Sequence, residues 1–214
     1  AFKRIMFYFP EMESPRVVTY ISGFNHPYFT VGKNLGIGLD QYLGSESDYY
    51  KQLGIPEYQS KWKIRERIIP DAVHTWINGL YPISDSLNNV LANIIHEGKL
   101  LYVMNKVLPE YSETLLTGFT PDQLKWCRNN EASMWITLIE NKMLYSRNPA
   151  DIRTLIGPAP FTSIFTRESP GRAVFWTGWQ IVEQYMKRSR NITIPELMKN
   201  HDYQKILEES RYNP

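Results

Sequence analysis

The chain has 214 residues, 43% hydrophobic and 21% charged, with a formal net charge of +2. That composition excludes a disordered chain, and the near-neutral balance leaves no electrostatic footprint for a nucleic acid. A single cysteine, Cys127, excludes a disulfide framework and a cysteine-rich metal site, and no 18-residue uncharged apolar run is present to cross a membrane.

The chain opens without a Met, at Ala1-Phe2-Lys3-Arg4, inside a patterned segment. This predicts a mature or trimmed protein whose native N-terminus is missing, together with any targeting or anchoring signal. Phe2 to Phe9 fits a strand or a short helix end. Arg16 to Ile21, Tyr28 to Val31 and Leu35 to Leu39 read as strands, the last two as a hairpin around Gly32-Lys33-Asn34. Residues 44–60 read as a loop with a helical turn. The basic run Lys61-Trp62-Lys63-Ile64-Arg65-Glu66-Arg67 reads as a solvated face, with a phosphate or lipid-headgroup site as the alternative.

Residues 69–79 predict a short helix. Ser84 is placed to cap a long one through about Val107, stopped by Pro109. Thr120-Pro121-Asp122-Gln123 is a capping box with Pro in the first turn, and opens a helix expected to reach Tyr145. Residues 149–169 read as a loop. Ser169-Pro170-Gly171 is expected to start a helix to Arg188, and Thr193-Ile194-Pro195-Glu196 a short C-terminal one.

Strands first and helices afterwards predict an α+β fold, mostly helical, with a small N-terminal antiparallel sheet packed on a helical body. Residues 1–214 read as one domain, with strands over about 1–45 and the helical body over about 60–214.

The chemistry-bearing residues are few. His96-Glu97-Gly98-Lys99-Leu100 begins like H-E-x-x-H, in which two histidines four apart share one helix face and one zinc. The second ligand position is Leu100, which binds no metal. Glu131 follows Glu97 by 34 residues, on an inward stripe with Leu124, Cys127, Trp135 and Leu138. A carboxylate there needs a partner. Zinc is one option, with His96, Glu131 and a third group such as His74 as ligands and Glu97 as base. Lys99 or Arg172 in a structural ion pair is the other. Gly178, between Trp176 and Trp179, lies inside a helix, which predicts close approach by another element. Tyr102, Trp135, Trp176 and Trp179 are candidates to line a cleft. Cys127 reads as core.

Several short motifs then resemble one family, the gliding-motility lipoprotein GldB family of Bacteroidetes. They are Tyr8-Phe9-Pro10, Gly38-Leu39-Asp40-Gln41-Tyr42-Leu43-Gly44, Gly98-Lys99-Leu100-Leu101-Tyr102 and Leu108-Pro109. Gln123-Leu124-Lys125-Trp126, Asn130-Glu131, Trp135 and Leu144-Tyr145-Ser146 continue the pattern. Ala159-Pro160-Phe161, Ser169-Pro170-Gly171-Arg172, Gly178-Trp179-Gln180-Ile181-Val182 and Ser210-Arg211-Tyr212 complete it.

The resemblance implies a lipid-anchored protein of the cell envelope, periplasm-facing or surface-exposed, associated with gliding and type IX secretion. It also implies a zincin-like scaffold, a relative of metallopeptidases. With Leu100 at the second ligand position, the expectation is a non-catalytic pseudoenzyme without a cofactor, acting by binding proteins or ligands. Its expected partners are other envelope proteins, met through the aromatic-rich loop around Tyr42 to Tyr58. The alternative is a residual zinc-dependent hydrolase using His96, Glu97 and Glu131.

Overall fold

The computed structural model describes residues 1–214. Helix α1 (Phe2–Tyr8) precedes strands β1 (Arg16–Tyr20), β2 (Tyr28–Val31) and β3 (Asn34–Gly38). Then follow α2 (Asp48–Gln52), α3 (Glu57–Ser60), α4 (Ile68–Leu80), α5 (Val90–Val107) and α6 (Glu113–Thr117). The remaining helices are α7 (Pro121–Asn129), α8 (Glu131–Glu140), α9 (Pro149–Ile156), α10 (Val174–Arg188), α11 (Ile194–Lys199) and α12 (Tyr203–Ser210). The fold is α+β and mostly helical. The chain divides into two compact units, one of residues 1–81 and 104–118, the other of 82–103 and 119–214.

The first unit holds the sheet, in the order β1-β3-β2. The sheet is mixed, which corrects the antiparallel expectation. The tight turn at Gly32-Lys33 makes β2 and β3 antiparallel, with Thr30 opposite Leu35. The 21–27 connection has already reversed the chain once. The second reversal therefore lays β3 parallel to β1, with Val17 opposite Leu35. One face of the sheet supplies Leu35 and Ile37, which pack with Ala72 and Trp76 of α4. Phe2, Met12, Tyr28, Tyr42 and Ile68 surround that core. Residues 2–8 are helical, which settles the first segment in favour of the helix end.

The second unit is built on α5 and α10. Both are buried over most of their circumference: Ile94, Ile95, Leu100 and Val103 on α5, and Val174, Ile181 and Val182 on α10, are 0% exposed. The two helices meet backbone to backbone. A Cβ on Gly98 would lie 2.2 Å from the Gly178 carbonyl oxygen, and one on Gly178 would lie 1.9 Å from that of Ile94. Glycine is required at both positions for steric reasons, which accounts for a residue otherwise unfavourable in a helix.

The helix ends follow local chemistry, and several differ from expectation. Ser84 caps nothing, because residues 85–87 form a 3-10 turn. Instead Asn89 Oδ1 accepts from Ala92 N at 2.8 Å and starts α5. The capping boxes at Thr120 and Thr193 are both present. The helix from Thr120 does not reach Tyr145: it breaks at Asn130, whose side-chain amide donates to Trp126 O at 2.8 Å and ends α7. Residues 149–156 form α9 rather than loop, capped by Asn148 with Pro149 following. α10 begins at Val174, later than Ser169, because Thr162 ties the preceding turn. Its hydroxyl donates to Pro170 O at 2.8 Å and accepts from Ala173 N at 3.0 Å. Asp202 caps a further helix, α12, that periodicity did not reveal.

Replacing Gly178 by Ala forces a methyl group into the Ile94 carbonyl, and α5 and α10 must separate. We expect a loss of about 3 kcal/mol or more, at or beyond the upper end of ordinary overpacking penalties, measured by urea denaturation. Wild-type stability in that variant would contradict the packing described.

Candidate functional site

The His-Glu segment lies on α5. His96 is 5% exposed, Leu100 is 0% exposed, and Glu97 is half-buried. Within the second unit Gly98 is pressed against α10, so the segment is part of a helix–helix contact. His74 stands half-buried on α4 in the first unit. No three His, Cys, Asp or Glu side chains are grouped to hold a metal ion.

Lys99 is 1% exposed. Its Nζ donates to the Asn200 carbonyl oxygen and lies 4.8 Å from the centroid of the Tyr203 ring. Burial pushes its pKa down from 10.5 to about 7. The carbonyl and the ring face satisfy the amine without a carboxylate.

Glu131 is held by neutral hydrogen-bond donors, not by the Lys99 amine, one expected partner. Its carboxylate accepts from Trp176 Nε1 at 3.1 Å and from the Tyr212 hydroxyl at 2.8 Å. Trp135 stacks edge-on against Tyr212, with centroids 5.2 Å apart. Burial, then the neighbouring Glu131 charge, pushes the Tyr212 pKa far up, so its hydroxyl stays a donor. Glu131 therefore joins α8, α10 and the C-terminal tail. Arg172 is exposed, with a φ of 60°, and its guanidinium lies 5.8 Å from the Phe175 ring centroid.

The other cleft candidates are core residues: Tyr102 is 8% exposed, Trp176 5% and Trp179 3%. Trp176 and Trp179 stack edge to face at 5.9 Å. Cys127 is 0% exposed, and burial pushes its thiol up to about 12, so it is unreactive core.

Residue-by-residue reading missed a second polar cluster, in the first unit, although its motif carried the family resemblance. Asp40 is 4% exposed and accepts from Ser22 N at 3.0 Å, Phe24 N at 2.5 Å and the Ser22 hydroxyl. Burial alone would raise its pKa, but these hydrogen bonds outweigh it and hold the carboxyl below its usual value. Gln41 accepts from Lys63 Nζ, which lies 5.4 Å from the Tyr50 ring centroid. The Tyr50 hydroxyl donates to Asp40 O at 3.1 Å and accepts from Leu43 N at 2.9 Å. Arg67 pairs with Asp71, which also accepts from the Tyr42 hydroxyl at 3.0 Å.

The basic run is thus corrected in part: Lys63 and Arg67 are structural cations, while Arg65 and Glu66 form the solvated face. Burial depresses the Lys63 pKa, against the pull of Asp40 and Asp71. The segments that carry this cluster also expose apolar side chains among charged ones such as Glu46, Asp48 and Lys51. Ile21 is 74% exposed, Leu39 41%, Leu43 48%, Tyr49 60% and Leu53 54%. Phe24, held by Asp40, packs beside Tyr49 at 6.1 Å between centroids.

The buried amine sets a pH dependence. As the pH falls from about 10.5 to about 7, the unfolded chain takes up a proton that folded Lys99 does not, so stability falls. Below about 7 the penalty is complete. Lys99→Met removes it. We expect its unfolding free energy to exceed wild type by more at pH 7 than at pH 10, the gap changing by a few kcal/mol, on the order of the pKa shift. Parallel pH–stability profiles would contradict a desolvated amine.

The comparisons with known proteins accord with these motifs. No curated protein matches the chain. No solved structure matches it either. No helix is long and apolar enough to cross a membrane. The family model described as gliding motility protein GldB, a lipoprotein family, matches residues 1–214. Spanned from end to end by that model, the chain belongs to the gliding motility protein GldB family of gliding-associated lipoproteins.

Proposed function

We propose that the protein is a non-catalytic component of the cell envelope, held there by a lipid anchor, that works by binding other envelope proteins. The observation that carries this reading is the closure of the His96–Leu100 segment. A metallopeptidase needs its His-Glu helix open to water and substrate along one face. Here that stretch is pressed onto α10 through Gly98 and Gly178, a buried amine adjoins it, and Leu100 is fully buried. Glu131 is engaged by an indole and a phenol. We read these residues as the remains of a zincin-like scaffold in which neutral hydrogen bonds occupy the metal's former partners.

The binding face we assign is formed by the exposed apolar side chains around Asp40: Ile21, Leu39, Leu43, Tyr49 and Leu53. Exposed apolar side chains grouped on a hydrogen-bonded base mark an interaction surface. The Asp40, Gln41, Lys63 and Tyr50 cluster fixes the segments that carry them before any partner arrives, which lowers the ordering cost of binding.

The test compares two variants expressed in the native host, each first shown to melt like wild type. Glu97→Gln is expected to leave motility and envelope cross-links at Tyr58 unchanged. Leu43→Glu with Tyr49→Glu is expected to abolish those cross-links. Lost function in Glu97→Gln, with the double variant unaffected, would reverse the assignment in favour of catalysis.

A further inference from the structure

A recess lies in the second unit, open to solvent, with a volume of about 500 Å³. Its wall comes from the starts of α5 and α12 and from the turn after α8. Leu87, Leu91 and Tyr203 provide an apolar floor, and Arg147, Asn89 and Asp202 provide polar groups. A hydrogen bond of 2.8 Å from the Tyr145 hydroxyl to Gln204 Oε1 ties one side of the wall together.

The unspent chemistry in this recess is directional. Arg147 is exposed and forms no ion pair. The starts of α5 and α12 bring two positive dipole ends to the same wall. Asn89 spends its Oδ1 on the α5 cap, leaving its amide N–H groups. Asp202 spends Oδ1 on the α12 cap, leaving its second oxygen as an acceptor. Tyr203 is 6% exposed, and its hydroxyl has no hydrogen-bond partner.

The recess thus offers a guanidinium for an anion, a donor and an acceptor for an amide, and an apolar floor. We propose that it binds the C-terminal residue of a peptide or protein chain with an apolar last side chain. Arg147 would take the terminal carboxylate in bidentate fashion. Asn89 would donate to the peptide carbonyl, and Asp202 would accept from the peptide N–H. The aliphatic side chain would rest on Leu87, Leu91 and Tyr203. This goes beyond the Asp40 face, lies in a different unit, and stands or falls separately.

Calorimetric titration with acetyl-Ala-Ala-Leu and with its C-terminal amide tests the idea. The acid is expected to bind at least tenfold more tightly than the amide, and acetyl-Ala-Ala-Gly at least tenfold more weakly than the leucine peptide. Arg147→Gln, melting like wild type, is expected to bring the acid down to the affinity of the amide. Equal binding of acid and amide, no saturable binding, or an Arg147→Gln variant with unchanged affinity would overturn it. N-acetyl-leucine binding as tightly as the tripeptide would overturn the assignment to a chain end.

Discussion

The backbone contact between Gly98 and Gly178 is the constraint on which the second unit depends. With no Cβ on either residue, α5 and α10 approach until peptide groups touch. That spacing buries Ile94, Ile95, Ile181 and Val182, and the fully buried side chains of these two helices form much of that unit's interior. Once α10 is fixed, Trp176 reaches Glu131 and the C-terminal Tyr212 completes the carboxylate's shell. Once α5 is fixed, Lys99 reaches the Asn200 carbonyl ahead of α12. Family motifs scattered over more than a hundred residues thereby become one connected arrangement.

The same contact bears on function. Among the residues of α5 that resemble a zinc-peptidase helix, Gly98 packs against α10 and Lys99 donates to a backbone carbonyl, while Glu131 of α8 accepts from an indole and a phenol. A buried lysine without a carboxylate is costly unless structure compensates for it. Here the compensation is a carbonyl oxygen and an aromatic face, which together make a specific seat for one side chain. The exposed resources of the molecule lie elsewhere, around Asp40 in one unit and around Arg147 in the other.

How much of this was legible in the sequence follows the range of each interaction. The capping boxes at Thr120 and Thr193 were readable because cap and acceptor lie three residues apart. The close approach at Gly178 was readable because a glycine between two tryptophans in a helix needs a steric reason. The break at Asn130 was not, because an apolar period continues across it. The parallel β1–β3 pairing depends on two successive reversals, which strand patterns do not encode. The partner of Lys99 is a backbone carbonyl 101 positions away, invisible to any reading of side-chain types. Charge alone made the 61–67 run look solvated, whereas Gln41 and Asp71 recruit Lys63 and Arg67 into the first unit's structure. Asp40 stood in plain view within a family motif, but its role rests on the backbone amides of Ser22 and Phe24.

The central claim is that the His-Glu segment of α5 is closed structural core and not a metal site. Amide hydrogen exchange across residues 94–103, followed with and without added zinc, addresses it most directly. The account predicts that these amides are among the slowest in the chain, exchange only through global unfolding, and are unchanged by zinc. Rapid exchange through local opening, or protection gained on adding zinc, would contradict it.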